Sequence, residues 1–569
     1  MDIAAEEAPE PSEIAYFSME IGLVPAMPTY SGGLGVLAGD TLRAAADLRL
    51  PMVGVSLLYR QGYFHQHLDD SGQQIESPAE WSPETYLEPL PVRASVAMEG
   101  RSVQIQAWRY LVHGASGAVV PAYFLDTFLP ENDPEDQTLT DALYGGDARY
   151  RLRQEMILGL GGLGMLRALG LERVHVYHMN EGHAALLTLG LLERELEGLS
   201  DHDVTSDVID RVRRRCVFTT HTPVPAGQDQ FPAELAEQIL GADRLALLNS
   251  AGCQPDSSLN MTLVALTLSH YVNGVSLRHE EVSSAMFPNY PIDSISNGVN
   301  AVTWVSPPFA RLYDERIPKW RQDNFDLRYA VHIPLEEILE AHLEAKSALL
   351  AEVERRTGQA LSSTIFTLGY ARRATAYKRA DLLFSDLDRL ERIVNRVGPI
   401  QVIYGGKAHP SDEGGKDIIR RIFQAAEALK DNITVIYLEE YDMALGRLMV
   451  SGVDLWLNTP LKPMEASGTS GMKASLNGVP SFSVLDGWWI EGHVEGVTGW
   501  SIGDEAGPES QPEEEVASLY EKLEFIILPM LYERPMEYAK VMRASIALNG
   551  SFFNAQRMLL QYIENAYLA

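Results

Sequence analysis

The chain is predicted to be an α/β protein with parallel sheets and more than one domain. Its 569 residues exceed what one hydrophobic core usually accommodates. Short, continuous apolar runs, typical of strands covered on both faces, alternate with amphipathic helical segments such as 417–429. Apolar residues make up 46% and charged residues 22% of the chain, as in ordinary globular proteins.

The apolar runs that we predict to be strands are spread over the whole chain. They are MVGVSLLY (52–59), RVHVYHMN (173–180), CVFTTHTP (216–223), TIFTLGY (364–370), IQVIYGG (400–406), ITVIYLEE (433–440) and VDLWLN (453–458). A long charged helix is predicted at 334–356, where PLEEILEAHLEAKSALLAEVERR follows a proline-rich passage.

The turn signal Asn297-Gly298 marks the predicted domain boundary. We expect an N-terminal α/β domain at 13–297 and a C-terminal α/β domain at 298–569, whose strands begin at Thr364. The acidic, proline-containing residues 1–12 are expected to form a short disordered arm, and an acidic loop is expected at 504–515.

The formal net charge of −32 excludes nucleic acid and anionic membranes as general partners. No apolar run approaches 18 residues, so no transmembrane helix is expected. Two cysteines, Cys216 and Cys253, cannot form a disulfide framework for a chain of this size. With no signal-peptide pattern at the N-terminus, a cytoplasmic protein is expected.

Two glycine-rich segments differ in their predicted role. GLGGLG (159–164) has helical sequence on both sides, so we interpret it as a tightly packed helix rather than a dinucleotide loop. TYSGGLGVLAGDTLRAAADL (29–48) places glycines directly before a helix, where the backbone of Gly33 and Leu34 could contact a phosphate or a sugar. A simple tight turn explains these glycines equally well.

Positive charge is concentrated in ARRATAYKRA (371–380), which we call the cationic segment. It carries Arg372, Arg373, Lys378 and Arg379 directly after a predicted strand, the position at which open α/β sheets bind ligands. In so acidic a chain, an anion site is favoured over a solvated helix face. Phosphate suits the planar fork of arginine and the compact charge of lysine.

One lysine, Lys473, lies among small residues in EASGTSGMKASLNG (465–478), the lysine loop. The spacing excludes a Walker A motif. Lys473 is either a further phosphate-binding cation or an amine that forms a Schiff base with an aldehyde cofactor. The second interpretation needs a neutral amine, and burial and neighbouring cations lower a lysine pKa.

Polar residues also follow two predicted strands of the first half. Glu181 and His183 belong to HMNEGHAALL (178–187), and His221 begins HTPVPAGQDQF (221–231). Asn297 and Glu465 are further candidates for binding sugar hydroxyls. No HExxH motif or other metal-ligand spacing occurs, so no metal is expected.

These motifs together resemble the α-glucan phosphorylases, the family of glycogen, starch and maltodextrin phosphorylases. EASGTSGMKASLNG is similar to the family's pyridoxal phosphate lysine motif and SGGLGVLAGD to its glycine loop. NEGHAAL, HTPVPAG, SNGV, RRATAYKR, GGKAHP and LEEYD occur in the family's order. The resemblance covers residues 15 to 500, and the chain is similar to compact members without the long N-terminal extension of the animal enzymes.

The resemblance implies a fold of the GT-B glycosyltransferase type, with two Rossmann-like domains facing across a cleft and a C-terminal helix packing back on the first. It implies a cytoplasmic α-1,4-glucan phosphorylase that releases α-glucose 1-phosphate with retention, the phosphate of pyridoxal 5'-phosphate relaying a proton. The expected partners are α-glucan and inorganic phosphate, and the chain is compatible with a homodimer.

The resemblance also assigns site residues by position. The residues expected at the cofactor are Lys473, which anchors it, and Thr469, Ser470, Gly471, Arg372, Lys378, Tyr441 and Gly33. The residues expected at the substrates are Gly33, Leu34, Glu181, His183, His221, Asn297, Glu465, Ser467 and Gly468. The residues expected to be catalytic are Lys473, Arg373, Lys378 and His221.

The chain departs from the family at Asp442, where members often have arginine after the preceding tyrosine. Two alternatives therefore remain. A nucleotide-sugar transferase of the same fold would carry two glutamates eight positions apart, whereas here Glu465 is followed at that spacing by Lys473. A glucan-binding homologue without activity is the other alternative, against which Lys473 beside Arg373 and Lys378 argues.

Overall fold

The fold is described from a computed structural model. It describes residues 13–197, 203–224, 228–253, 258–503 and 509–568. The predicted arm at 1–12, the end of the HTPVPAG motif and the start of the acidic loop at 504–515 lie outside the described residues.

The strands are β1 (Ile14–Ser18), β2 (Met52–Leu57), β3 (His65–Leu68), β4 (Gln74–Ser77), β5 (Glu88–Met98), β6 (Arg101–His113), β7 (Val119–Asp126), β8 (Val176–Asn180), β9 (Cys216–Thr219), β10 (Gln230–Pro232), β11 (Ser258–Asn260), β12 (Tyr271–Gly274), β13 (Asp293–Ser294), β14 (Phe366–Ala371), β15 (Ile400–Gly405), β16 (Thr434–Leu438), β17 (Leu455–Asn458), β18 (Ser481–Val484) and β19 (Gly499–Ile502).

The α-helices are α1 (Gly33–Asp47), α2 (Pro134–Gln137), α3 (Ala148–Met156), α4 (Gly162–Ala168), α5 (Leu186–Glu197), α6 (Ser206–Arg213), α7 (Ala233–Leu240), α8 (Ala242–Ser250), α9 (Met261–Thr267), α10 (Leu277–Met286), α11 (Ala301–Trp304), α12 (Pro307–Arg316), α13 (Leu335–Thr357), α14 (Leu387–Arg396), α15 (Glu413–Leu429), α16 (Met443–Gly452), α17 (Thr469–Ser475), α18 (Trp489–Gly492), α19 (Pro512–Lys522), α20 (Leu528–Glu533), α21 (Pro535–Ala544) and α22 (Ala555–Tyr562). Shorter 3₁₀ or π-helical segments include Ile157–Gly161, Asn324–His332 and Ile563–Tyr567.

The sheet of the second half has the order β16-β15-β14-β17-β18-β19, and all its pairs are parallel. This is the doubly wound order 3-2-1-4-5-6, in which the chain changes direction between the first and the fourth strand. Those strands are β14, which precedes the cationic segment, and β17, which precedes the lysine loop. The topology therefore brings the cationic segment and the lysine loop to one switch point.

The sheet of the first half has the order β13-β12-β9-β8-β1-β2-β7-β6-β5. It is parallel from β13 to β7, with its switch point between β1 and β8. The predicted parallel sheets are present, and the first sheet adds an antiparallel edge, because β6 pairs antiparallel with both β5 and β7. The exposed side chains that alternate with buried ones along β5 explain why it lacks the apolar run of a covered strand.

The predicted strands and helices are present: the strands are mostly shorter than the apolar runs, whereas α15 begins at Glu413, before the predicted 417. The run at 216–223, for example, gives β9, which ends at Thr219. The predicted long helix is α13, which ends where Gly358 adopts the left-handed conformation at φ 70°. GLGGLG lies inside a helix, as interpreted: a Cβ at Gly159 would lie 2.6 Å from the backbone nitrogen of Leu187, so glycine allows close packing.

The C-terminal segment crosses to the first half of the chain. α22 packs against α1, and its apolar residues share a core with β1 and β2. The Tyr567 hydroxyl lies 2.7 Å from Nδ1 of His178 at the end of the chain's first sheet. No helix within the described ranges is both long and apolar enough to span a membrane.

Candidate active site

A cavity of about 930 Å³ lies where the carboxyl ends of the central strands of both sheets meet. With the exception of Gly471, the residues predicted for the site line this cavity; they are Gly33, Leu34, Glu181, His183, His221, Asn297, Arg372, Arg373, Lys378, Tyr441, Glu465, Ser467, Gly468, Thr469, Ser470 and Lys473. Residues more than 400 positions apart in sequence thus line the same cavity.

Lys473 is a buried amine near the C-terminal end of α17, only 8% exposed. Its Nζ lies 4.0 Å from the centroid of the Trp304 ring and makes no hydrogen bond with any described residue. Burial lowers the pKa of Lys473 to about 8, although the carboxylate of Asp40 opposes this shift. Neighbouring cations were also expected to lower this pKa, but burial alone accounts for the shift.

Gly471 supports the lysine from behind. A Cβ at this position would lie 2.6 Å from Cζ2 of Trp488, so only glycine lets α17 pack there. On the opposite side, Thr469 and Ser470 face the cavity, and the Ser470 hydroxyl accepts a hydrogen bond of 3.1 Å from Trp456 Nε1. Helix α17 thus presents the lysine and two hydroxyls to the cavity.

Glu465 is paired with two of the predicted phosphate-binding cations. Its Oε1 accepts a hydrogen bond of 2.7 Å from Arg372, and its Oε2 accepts one of 2.7 Å from Lys378. Burial would raise the pKa of Glu465, but the charges of Arg372 and Lys378 lower it to about 2. The carboxylate that was expected to hold a sugar therefore also neutralises the cationic segment.

The two remaining cations of that segment differ from each other. Arg373 is exposed to the cavity and makes no hydrogen bond or ion pair with any described residue; its Nη2 would lie 3.7 Å from a Cβ at Gly32. Arg379 lies outside the cavity lining, donates to the carbonyls of Thr459 and Pro460, and pairs with Glu515. Sequence reasoning grouped the four cations, but Arg379 has a structural role.

The glycine loop is held by a carboxylate that was not predicted. Glu20 Oε2 accepts hydrogen bonds from the backbone N–H groups of Ser31 at 2.6 Å and Gly32 at 3.2 Å. The next N–H groups, those of Gly33 and Leu34, lie in the first turn of α1 and have no partner within the described residues. They remain available to a ligand.

On the first-half side, Glu181 joins the ends of two strands. Its carboxylate accepts from its neighbour Gly182, from the backbone N–H of His221 at 2.8 Å and from the hydroxyl of Thr222 at 2.9 Å. Its φ of 82° is a strained conformation for a side chain with a Cβ. The strained backbone of Glu181 is fixed by the ends of β8 and β9, which flank this residue.

His221 is held neutral by its surroundings. Its Nε2 lies 2.6 Å from Oδ1 of Asn180, and since Asn180 donates its own amide hydrogen to Ser18, we assign the ring proton to Nε2. Burial, and secondarily the neighbouring histidines, lowers the pKa of His221 to about 3. The ring therefore stays uncharged at neutral pH.

Three buried polar atoms along the cavity lack hydrogen-bond partners among the described residues. They are Oδ1 of Asn297, Oγ of Ser467 and Nδ1 of His183. Because an unpaired buried polar group is costly, such atoms indicate a polar ligand. All three belong to residues that were predicted to contact sugar.

Asp442 has a local structural explanation. It is the N-cap of α16, and its carboxylate accepts a hydrogen bond of 2.8 Å from the backbone N–H of Leu445. Tyr441 lines the cavity beside it. Lys407 also lines the cavity, and it donates to Glu440 at 2.8 Å, so its charge is already paired.

Several cavity residues were missed by sequence reasoning. They include Glu20, Tyr30, Tyr63, Tyr144, Arg151, Asp229, Trp304 and His409. Among them, Asp229 lies 3.2 Å from His183 Nε2 and accepts from Arg151 at 3.0 Å. Tyr30, Asp229 and His409 lie inside motifs quoted above, but no role was predicted for them. The other five lie outside those motifs, and only their position after strand ends or in turns could have indicated them. Within the described ranges, no group of three or more acidic, histidine or cysteine side chains could hold a metal ion.

Comparison with known proteins agrees with this geometry. The family profile of carbohydrate phosphorylases matches residues 28–129 and 228–498. The maltodextrin phosphorylase of Thermococcus litoralis is 38% identical, over 97% of this chain and 70% of the relative. The glycogen phosphorylases of Mycobacterium tuberculosis and Aquifex aeolicus are 36% and 35% identical, over 98% and 97% of this chain and 71% and 86% of the relatives.

The chain belongs to the carbohydrate phosphorylase family. The predicted family, fold class and enzyme class are thereby confirmed. Membership in this phosphorylase family also favours the phosphorylase prediction over the nucleotide-sugar transferase alternative. Asp442 does not separate the chain from the family, because its carboxylate is used to cap α16.

Proposed function

We propose that this protein is an α-1,4-glucan phosphorylase. It would transfer the terminal glucose of glycogen, starch or maltodextrin to inorganic phosphate and release α-glucose 1-phosphate with retention. The observation that carries the proposal is one cavity in which the buried amine of Lys473, the exposed guanidinium of Arg373 and the unpaired sugar-binding atoms meet. The names of the relatives, maltodextrin and glycogen phosphorylase, point to the same class of substrate.

The division of the chain follows the same pattern. We propose a first domain at 13–297 that binds glucan and a second at 298–569 that binds the two phosphates. In support, the strands of the large mixed sheet lie between 14 and 294 and those of the parallel sheet between 366 and 502. A net charge of −32 supports a neutral glucan over nucleic acid as the polymeric partner.

The residues around Lys473 fit pyridoxal phosphate. The amine is buried, has no hydrogen-bond partner among the described residues and has a pKa near 8, so a usable fraction is neutral at physiological pH. Lys473 would hold the cofactor, with Thr469, Ser470 and Arg372 near its phosphate and Tyr441 beside its ring. When bound, pyridoxal phosphate supplies a phosphate group that exchanges a proton with inorganic phosphate.

The cations of the second half would hold inorganic phosphate. Arg373 offers an unpaired guanidinium, and the backbone N–H groups of Gly33 and Leu34 face the same cavity. Lys378 is paired with Glu465 and would add charge without being left unpaired when phosphate departs. Such fixed, preorganised charge is the form of electrostatic stabilisation that is most effective in a water-poor site.

Polar groups from both halves of the chain would orient the glucose. Asn297 and Ser467 offer unpaired oxygens, and Glu465 retains lone pairs because each of its oxygens accepts one hydrogen bond. His221, neutral at physiological pH, would hold a hydroxyl rather than carry a proton as a general acid. In the reaction, the bond from C1 to the leaving glucan oxygen breaks, that oxygen takes the proton of inorganic phosphate, and an oxygen of the same phosphate bonds to C1.

Two measurements test this proposal. Borohydride reduction of the purified protein should attach a pyridoxyl group to the peptide that contains Lys473, while Lys346, a buried lysine paired with Asp454, serves as the internal control. Maltodextrins of graded length should yield glucose 1-phosphate only when phosphate is present. An unmodified Lys473 peptide would refute the cofactor assignment, and glucan binding without product would identify an inactive homologue.

A further inference from the structure

Arg557, on α22 near the C-terminus, is bonded to the backbone of the loop that carries Asn297. Its Nη1 donates to the carbonyl of Ser296 at 2.7 Å, and its Nη2 donates to the carbonyl of Asn297 at 2.9 Å. Two further bonds, to the carbonyl of Phe552 and to Gln561 Oε1, fix the guanidinium on its own segment. Burial lowers the pKa of Arg557 to about 10, yet the group remains charged at neutral pH.

The same loop and the same helix are also joined through their backbones. Val299 donates to the carbonyl of Phe553 at 3.1 Å, and Ala555 donates back to the carbonyl of Val299 at 2.9 Å. A Cβ at Gly298 would lie 2.1 Å from the carbonyl oxygen of Asn554, so only glycine allows this approach. The asparagine-glycine pair therefore serves helix docking as well as a turn.

The other end of the loop is bonded as well. The backbone N–H of Asn297 donates to the carbonyl of Val275 at 3.1 Å, and the Ser296 hydroxyl donates to Glu491. The Asn297 backbone is thus held on both sides, while its Oδ1 faces the cavity without a partner among the described residues. A side chain with no hydrogen bond of its own depends on its backbone for its position.

We infer that Arg557 is a positioning residue: through the carbonyls of Ser296 and Asn297 it holds the Asn297 side chain where a sugar hydroxyl binds. The planar fork of arginine suits this role because two donors diverge toward two consecutive carbonyls. The C-terminal helix is by this inference part of the sugar-binding apparatus rather than only a cover on the first half.

Hydrogen exchange tests the positioning without any assumption about the reaction. In Arg557→Met, the amides of Asn297 and Val299 should exchange about tenfold faster than in the unchanged protein. The matched control is Tyr567→Phe, which removes the bond to His178 and loosens the same C-terminal segment without touching the loop. Equal exchange of the loop in both variants would overturn the inference.

The kinetic test rests on the proposed function. Arg557→Met should lower kcat/KM for maltodextrin about tenfold and leave KM for phosphate within about twofold. In the double variant with Asn297→Ala the losses should not multiply, because both changes remove the same contact. Arg557→Lys, which keeps the charge but can reach only one carbonyl, should give an intermediate loss and serves if the methionine variant does not fold.

Failure of the proposed function and failure of the inferred role of Arg557 would give different results. If the unchanged protein makes no glucose 1-phosphate, the proposed function has failed, and the exchange experiment still decides the role of Arg557. If the unchanged protein is active and the losses of Arg557→Met and Asn297→Ala multiply, or if KM for phosphate rises in parallel, the inferred role of Arg557 is wrong.

Discussion

The phosphate side and the sugar side of the cavity differ in how their polar groups are satisfied. On the phosphate side, Arg372 and Lys378 each bond to an oxygen of Glu465. On the sugar side, Asn297 Oδ1 and Ser467 Oγ are neutral atoms that have no partner among the described residues. A buried charge without a counterion costs far more than an unpaired neutral group, so only the neutral atoms can be left open for a ligand. Two cations are exceptions: Arg373 is exposed to the cavity, and burial lowers the pKa of Lys473 to about 8.

The largest effect is expected when the carboxylate that balances the phosphate-side cations is removed. Glu465→Gln leaves two cations without their counterion and should lower the free energy of unfolding by about 3–5 kcal/mol at pH 7. The folded pKa of Glu465 lies below its unfolded value, so its stabilisation is present above about pH 4.5 and is lost as the pH falls toward 2. The difference between variant and native protein should therefore shrink at pH 3, as measured by chemical denaturation.

The matched control for that variant is Glu344→Gln. It breaks an ion pair with Arg311 in which both side chains are more than half exposed, and the expected change is below about 1 kcal/mol. Inorganic phosphate should restore part of the stability that Glu465→Gln loses, because an anion would again face the cations. A variant that phosphate does not stabilise at all would contradict the assignment of this side to phosphate.

Loss of the unpaired guanidinium of Arg373 should have the next largest effect. Arg373→Ala should raise KM for phosphate about 10- to 100-fold, as expected for loss of charge-assisted hydrogen bonds worth about 1.5–3 kcal/mol. Glucan affinity, measured by calorimetry, should change less than about twofold, since the sugar side is untouched. Arg379→Ala is the control, because that arginine bonds to carbonyls outside the cavity. Weaker glucan binding with unchanged phosphate dependence would show that Arg373 belongs to the sugar side rather than to the phosphate side.

The lysine amine should show its lowered pKa in the pH dependence of cofactor uptake. With a pKa of about 8, the neutral fraction rises roughly tenfold between pH 7 and 9, whereas an ordinary lysine titrates near 10.4. The rate at which the cofactor-free protein takes up pyridoxal phosphate should follow that curve. Asp40→Asn removes a charge that raises the pKa of Lys473, so its midpoint should move below 8. A midpoint near 10 in the native protein would show that the amine is not desolvated.

The smallest effect is expected at Asp442. Asp442→Ala removes the N-cap of α16 and should lower the free energy of unfolding by about 1 kcal/mol, whereas Asn, which also caps helices, should change it by less than about 0.5 kcal/mol. Neither change should lower kcat/KM more than about twofold. A large loss of activity in the Asn variant would show that the carboxylate takes part in the phosphate side.

Much of the site could be predicted because its residues follow strands in sequence. The cationic segment comes directly after β14, and Glu181 directly after β8. In a doubly wound sheet the carboxyl ends of parallel strands meet at one edge, so proximity to a strand end implies proximity to the cavity. The N-cap role of Asp442 could also have been predicted, since aspartate precedes a helical stretch there.

The amino-acid sequence by itself determined the fold class and the family, because strand pattern and motif spacing are local properties. The resemblance to that family then predicted sixteen of the residues that line the cavity. Only the tertiary structure decided which charges compensate one another and which atoms stay unpaired. Glu465 meets Arg372 across 93 positions, Trp304 lies against Lys473, and Arg557 reaches Asn297 across 260 positions. Such contacts depend on how the two sheets and the C-terminal helix pack, and no local pattern encodes that packing.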